Sequence, residues 1–596
     1  MIAEEHNAKN REYRGIGTGS GIAMAKAVIV HRGEAVIPVI TLEPEKIEQE
    51  IARFRESLFI SREQLLKIRA TVAKTMGEEA AGVIDAQLML LSDPFLVDET
   101  EKLIKLKRVN AEHALDTVIQ GAIESLGESK DPTFQDRVHD LNDIRSRIIS
   151  NLLGLKGQTI PMPEEESILV ISHLAPSETA QLFGSKYVGL VTEIGGFTSH
   201  IAIMSRTMNL PAVLGVENAT EDIKRGEKVI VNSMKGIVIV NPDEETEKSY
   251  NKLKSIYIKR RKLIEKYIPK KAVTPDGHKV SVGANMELPE EVPMAKHFGA
   301  DGIGLFRTEL LYMKSDKLPS EDEQFEVYKN IASQIKPDSA IIRTFDVGGD
   351  KFAGILTHHH YEPNPFLGWR AIRIGLEYPE ILKTQICAIL RASNFGNLKI
   401  MFPMISLPEE LKRARELVEE CKDILRERGE KFNEKIEVGI MVEVPSAAIL
   451  SRKLAEMCDF MSIGTNDLIQ YTLAADRGNP RVAHIYQSYQ PAVLKLIKMT
   501  IDSAHLEGRW AGLCGEFAGY VLAVPLLLGM GLDEFSVVPA RVPLVKTIIN
   551  HFPYSEARVM AEEVMQFTTE EEVISYLSER VKEFLPKEII EFEVID

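Results

Sequence analysis

The residues best suited to chemistry fall into two sets. The first is the run Gly195-Gly196-Phe197-Thr198-Ser199-His200, followed by Ile201-Ala202-Ile203-Met204-Ser205-Arg206. An apolar stretch, Tyr187 to Val191, leads into it through a glycine pair, whose freedom lets the backbone approach whatever the loop serves. Thr-Ser can cap a helix start, which places an imidazole in the first turn. Unpaired N–H groups and the positive end of the helix dipole favour an anion there. A neutral histidine is nucleophilic near pH 7, and Arg206 can balance the charge of a phosphoryl group that His200 accepts. Alone, a histidine at a helix start is more often a cap or a packing residue.

The second set lies beyond residue 300. Arg307, Arg343 and Arg477 offer planar forks matched to phosphate and carboxylate oxygens, so their convergence implies a small, multiply anionic substrate. Glu443 and Asp467 either partner those arginines or supply hard oxygen ligands that suit Mg2+. Cys514 is either buried packing or a proton donor.

What must position them is an alternation of strand-like runs with helical stretches. Eight such runs follow Val273: Val280–Asn285, Gly302–Phe306, Ala340–Phe345, Leu398–Pro403, Val438–Val442, Phe460–Ile463, Trp510–Leu513 and Phe535–Val538. Eight β/α units predict a closed (β/α)8 barrel rather than a doubly wound sheet. Arg307 and Glu309 follow the second run, and Arg343 and Asp346 end the third. Glu443 ends the fifth, Asn466-Asp467 the sixth and Cys514-Gly515-Glu516 the seventh. All fall at C-terminal strand ends, the face where barrel enzymes keep their chemistry.

Upstream, β-like runs at Ala25–Val30 and Ala35–Ile40 precede a helical block from Pro44 to about Gly154, with apolar residues at three- and four-residue spacing. The β pattern returns in Ile168–Ile171, Val188–Thr192, Ala212–Leu214, Lys228–Val231 and Gly236–Val240. The helical block therefore reads as an insertion into an α/β domain. A charged, helix-prone segment, Glu244 to Tyr267, reads as a solvated connector. Cys387, Cys421 and Cys458 are expected in helical stretches as structural residues.

With 596 residues the chain exceeds the ~250–300 residues that one core supports. A net charge of −16 argues against nucleic acid as the main ligand. Four cysteines with no paired metal spacing and no disulfide framework, no apolar signal core and no uninterrupted membrane-length run predict a cytoplasmic protein.

The motifs GGFTSHIAIMSR, PSETA, DGIGLFRTELLYM, EDEQFEVYK, RTFDVGGDK, NPFLGWRAIRI, RASNFGNLKIMFPMI, GIMVEVPSAA, SIGTNDLIQYTLAADRGN and GLCGEFAG span nearly the whole chain. Together they resemble enzyme I of the bacterial phosphoenolpyruvate:sugar phosphotransferase system, and AQLMLLSDPFL resembles that family's carrier-binding region. The resemblance implies four parts. They are a swivelling phosphohistidine α/β domain (1–43 plus 155–243), an inserted helical domain for the carrier HPr (44–154), a linker helix (244–269) and a phosphoenolpyruvate-binding barrel (270–596). It implies that His200 takes the phosphoryl group and that Arg307, Arg343, Asn466 and Arg477 grip phosphoenolpyruvate. Glu443 and Asp467 then hold Mg2+, and Cys514 protonates the departing enolate. Thr179 matches a residue placed near the active histidine. Dimerisation through the barrel is a family expectation.

Phe197 departs from the Arg or Lys common before Thr-Ser, and Ser205 from an alanine. His173 and Ala175 stand in a site usually written Asp-Leu-Thr-Pro, and Tyr520 replaces an aspartate. None removes a catalytic side chain. An ATP-linked dikinase needs a nucleotide domain about as large as the barrel, for which nothing before His200 is long enough, and no glycine-rich phosphate loop appears in Pro44–Gly154. A nitrogen-type regulatory paralogue, serving a different HPr-like carrier, usually has an added N-terminal sensory domain. Only about 15 residues precede the glycine-flanked, β-like stretch that runs from Gly15 to Ile40.

Overall fold

The computed structural model describes residues 9–19, 21–30, 37–76, 78–127, 132–154, 160–174, 182, 185–195, 201, 205, 210–313, 317–348, 364–477, 479 and 481–595. The chain divides into two compact units, residues 1–257 and 258–596.

The first unit holds an eight-stranded mixed sheet in the order β1-β8-β7-β3-β4-β5-β6-β2. Its strands are β1 (Arg11–Arg14), β2 (Ile16–Thr18), β3 (Ile22–Val30), β4 (Ser167–Ile171), β5 (Tyr187–Thr192), β6 (Ala212–Leu214), β7 (Lys228–Asn232) and β8 (Ile237–Val240). Strands β3 to β6 run parallel, and the outer pairs are antiparallel. Strand β4 is apolar from Ile168 to Ile171 because both its faces are covered. Ile168 and Val170 enter one core with Val191 and Val213, while Leu169 and Ile171 enter another with Leu190 and Leu214.

Between β3 and β4 the described residues make five α-helices: α1 (Ile47–Met76), α2 (Glu78–Leu91), α3 (Pro94–Lys107), α4 (Ala111–Gly127) and α5 (Pro132–Leu152). The two strands then pair in parallel, Ala27 opposite Ile168, so this helical bundle is an outsized crossover connection. It keeps a core of its own around Phe54, Leu65, Ile104, Leu115 and Ile148. Arg53 ties three helices by reaching Glu50, Glu112 and the carbonyl of Leu152. A long polar helix, α6 (Glu244–Glu265), follows the sheet.

Two expectations need correction here. Residues 37–40 form no strand; the segment instead makes an isolated bridge from Thr41 to Val109 and hydrogen bonds to Asn110. Strands β1 and β2 escaped the sequence pattern because both are short and polar, edge-pairing with β8 and β6.

The second unit is a closed parallel barrel of eight strands. They are β9 (Ser281–Met286), β10 (Ile303–Phe306), β11 (Ser339–Arg343), β12 (Asn397–Phe402), β13 (Val438–Val442), β14 (Phe460–Ile463), β15 (Trp510–Leu513) and β16 (Glu534–Val537), with β16 returning to β9. Every predicted run is therefore a barrel strand. Outward residues such as Ile342, Ile400 and Ile440 pack beneath surrounding helices, including α7 (Glu321–Ile335), α8 (Pro379–Ala392) and α9 (Pro408–Glu427). Helix α7 starts at a capping box, in which Ser320 and Glu323 satisfy each other's backbone N–H groups.

Leu305, Ile341, Met401, Met441, Phe460 and Cys514 fill the barrel interior. At its N-terminal floor Phe460 stacks on Trp510 at 4.6 Å. The barrel is thus a packed core open at one end. All four cysteines are buried thiols, with Cys387 on α8 and Cys421 on α9; Cys458, expected on a helix, lies in the loop entering β14. No helix among the described residues is long and apolar enough to cross a membrane.

Candidate functional site

At the C-terminal rim of the barrel, strand ends deliver their reactive side chains to one place. Arg307 follows β10, Arg343 ends β11, Glu443 follows β13 and Cys514 follows β15. After β14 the chain turns through Gly464 into α10 (Thr465–Leu473), whose first turn carries Asn466 and Asp467. With Arg370 and Arg477 these residues line a cavity of about 320 Å3, with Leu305 and Met441 on its apolar side. Glycines keep it open: a Cβ on Gly464 would meet the Glu443 carboxylate at 3.0 Å, and one on Gly515 would strike the Thr465 hydroxyl at 1.8 Å. A larger, shallower groove of about 660 Å3 runs beside α9 at the opposite strand ends. Its charges neutralise one another, Arg413 with Glu416 and Glu420, and Arg415 with Asp459.

Arg343 is buried, with Nη2 2.8 Å from Glu309 and Nη1 3.2 Å from Asp346. Burial works against its charge, but Glu309, Asp346 and Glu443 outweigh it and hold its pKa above the ordinary value. Arg307 pairs with Glu287 at 2.8 Å. Both arginines keep a buried Nε without a hydrogen-bond partner, as does the Thr465 hydroxyl. Buried donors of this kind are costly unless something completes them. Asn466 accepts from the Glu516 N–H through its side-chain oxygen, while Arg477, more exposed, completes the rim.

Three carboxylates, Asp346, Glu443 and Asp467, bring oxygens within 4.8 Å of one another, a possible divalent-metal site. Asp346 is already engaged: Oδ1 accepts Nε and Nη2 of Arg370 at 3.0 and 2.7 Å. Glu443 accepts from the Met404 N–H. Burial, then repulsion from Asp467 and Asp346, pushes the Glu443 pKa well above the carboxylate range. A buried acid crowded by acids fits a cation with hard oxygen preference. The Cys514 thiol lies 3.7 Å from the Ile463 carbonyl, and burial raises its pKa although Ser462 and Arg343 pull the other way. Burial thereby favours the neutral thiol over the thiolate.

The rim thus gathers Arg307, Arg343, Asn466, Arg477, Glu443, Asp467 and Cys514. His200, Thr179 and Arg206 lie outside the described residues. Strand β5 does lead to that loop, and Gly195 takes φ +147°, a conformation side-chain-bearing residues rarely adopt. Among the departures, His173 lies 3.4 Å from Asp143 of α5, and Tyr520 packs edge-on against Phe517. Phe197 and Ala175 are outside the described residues. Arg370 is the residue that strand-end reasoning missed. It sits at no strand end, returning to the rim through an isolated bridge to Gly348, and only its place in NPFLGWRAIRI signalled it.

Comparison with known proteins gives a consistent picture along the chain. Residues 14–137 match the N-terminal family of PEP-utilising enzymes, residues 163–236 their mobile domain and residues 261–554 their PEP-binding domain. The phosphoenolpyruvate-protein phosphotransferase of Bacillus subtilis is 42% identical over 575 residues, covering 96% of this chain and all of that one. That of Listeria innocua is 42% identical over 579 residues, with the same coverage of both chains. An NMR structure of Enzyme I (nEIt) is 39% identical, covering 41% of this chain and 99% of its own, with a TM-score of 0.36. With such identity sustained from end to end, the chain belongs to the phosphoenolpyruvate-protein phosphotransferase family.

Proposed function

We propose that the chain transfers the phosphoryl group of phosphoenolpyruvate to its own His200 and then to a histidine of the carrier HPr, releasing pyruvate as the first step of the sugar phosphotransferase system. One observation carries this reading: arginines, an amide, paired buried carboxylates and a neutral thiol share one cavity at strand C-terminal ends. Arg307, Arg343, Arg477 and Asn466 bind the phosphate and carboxylate oxygens of the substrate. Glu443 and Asp467 hold Mg2+, whose contribution when bound is to neutralise charge on those oxygens. The His200 imidazole attacks phosphorus, the bond to the enol oxygen breaks, and Cys514 gives its proton to the methylene carbon of the departing enolate. Arg206 balances the charge gained at His200, with Thr179 beside it.

In this reading residues 1–43 and 155–243 carry the phosphohistidine, 44–154 dock HPr, and 270–596 bind phosphoenolpyruvate and dimerise. Residues 244–269 are the linker about which the histidine domain swivels between donor and acceptor. The protein works in the cytoplasm, without nucleic acid or membrane partners. The test uses radiolabelled phosphoenolpyruvate and Mg2+ with wild type and His200→Ala. Acid-labile label on wild type alone, discharged by HPr, supports the reading. Label that HPr cannot remove favours the nitrogen-type paralogue, and no label on folded protein contradicts the enzyme.

A further inference from the structure

Arg307 and Arg343 stand on neighbouring strand ends, and a chain of buried side chains runs behind them. Its centre is Gln385 of α8, fully buried. Gln385 Oε1 accepts from the Phe345 N–H at 2.9 Å, while Nε2 donates to Thr308 Oγ1 at 3.2 Å and to the Tyr328 hydroxyl at 3.0 Å. Thr308, next to Arg307, donates in turn to the Arg343 carbonyl at 3.0 Å. The Tyr328 arm leads away from the rim, to Gln324 at 3.1 Å.

We propose that Gln385 is a positioning residue for the anionic substrate, fixing the separation of the Arg307 and Arg343 forks from outside the strand layer. The inference rests on the reading of the rim as the phosphoenolpyruvate site. Residues 344–346 leave the regular ladder just past Arg343, where the aspartate is needed. There Thr344 keeps one bond to β12, through the Met401 carbonyl, and the Asp346 N–H turns to Glu309. Gln385 engages the β10 end through Thr308 with one half of its amide and the β11 end through Phe345 with the other. Satisfied buried amides of this kind enforce a single geometry, and displacement of a binding group by about 1 Å costs on the order of 100-fold in rate. An amide that merely satisfies core polar groups would stabilise the fold equally through its Tyr328 arm and its strand-end arms. The two roles therefore separate by arm.

The experiment measures phosphoenolpyruvate KM and kcat, with the melting temperature, for full-length wild type, Gln385→Met, Thr308→Val and Tyr328→Phe. Gln385→Met and Thr308→Val are expected to raise KM about tenfold while kcat stays within about threefold, the signature of lost substrate binding. Tyr328→Phe is expected to lower the melting temperature with KM unchanged. A KM that rises equally in Tyr328→Phe, or stays put in Gln385→Met despite a lower melting temperature, overturns the inference. Should Gln385→Met not fold, Thr308→Val against Tyr328→Phe decides in the same way. Wild type that turns over phosphoenolpyruvate while the variants keep its KM removes the inference alone; wild type without turnover removes the reading beneath it as well.

Discussion

At its floor the barrel sets Lys399 4.6 Å over the Trp510 ring and 2.8 Å from Glu437, and the Trp510 indole N–H donates to the same carboxylate at 3.3 Å. At its rim the same strands set Glu443 among Asp467, Asp346 and Arg343. Both ends carry a carboxylate whose pKa is raised by burial, Glu534 to about 7 at the floor and Glu443 at the rim. The neighbours differ. After burial the first influence on Glu534 is Lys399, which pulls it back against Asp301, Glu437 and Asp533; the first influences on Glu443 are two acids, Asp467 and Asp346, with Arg343 pulling back after them. At the floor Glu437 is held by both Lys399 and the Trp510 N–H, whereas the rim leaves buried arginine Nε atoms and a threonine hydroxyl without partners. A polar cluster signals function when its internal pairing is incomplete, because only then does a ligand remove a cost already present in the fold.

Substitutions at the two ends can break this contrast. The largest effect is expected from Arg343→Met or Glu443→Gln, each lowering kcat/KM for phosphoenolpyruvate about 10²–10³-fold in a steady-state assay. Lys399→Met at the floor should leave that assay unchanged and lower stability by about 1–2 kcal/mol in denaturant titration, through loss of its cation–π and ion-pair contacts. Glu443→Gln should act in the opposite sense on stability, gaining about 0.5–2 kcal/mol without added cation. Its folded pKa exceeds that of the unfolded chain, so wild-type stability falls as pH rises from about 4.3 to that raised value, and the variant lacks this slope. By the same linkage Mg2+ should bind wild type more tightly as pH rises, since binding expels the Glu443 proton. The smallest effect concerns His505, whose pKa a hydrogen bond to Asp533, 2.7 Å away, raises. Its contribution, screened by solvent to below about 1 kcal/mol, is full below pH ~6.5 and is lost as pH rises through the raised value. His505→Gln should remove that dependence.

The barrel was legible in the sequence because each strand is a short apolar run between helical stretches, and the rim because its charged residues sit immediately after those runs. Arg370 was not legible that way, since its position depends on a connection that leaves β11 and returns far along the chain. Thr308 and Gln385 were invisible for another reason: single polar residues inside apolar stretches carry no spacing signal, and only folding shows what they touch. Strands β1 and β2 were missed because edge strands need little apolar surface, and the run ending at Ile40 misled because the backbone of Pro38 and Ile40 bonds the Asn110 side chain rather than a ladder.

Calorimetric titration of phosphoenolpyruvate with Mg2+ into the full-length wild type, Arg343→Met and Lys399→Met tests the contrast most directly. The account predicts that the floor variant binds like wild type and the rim variant at least tenfold more weakly, a difference of about 1.4 kcal/mol or more. Equal binding by wild type and the rim variant, or weakening by the floor variant alone, would contradict it.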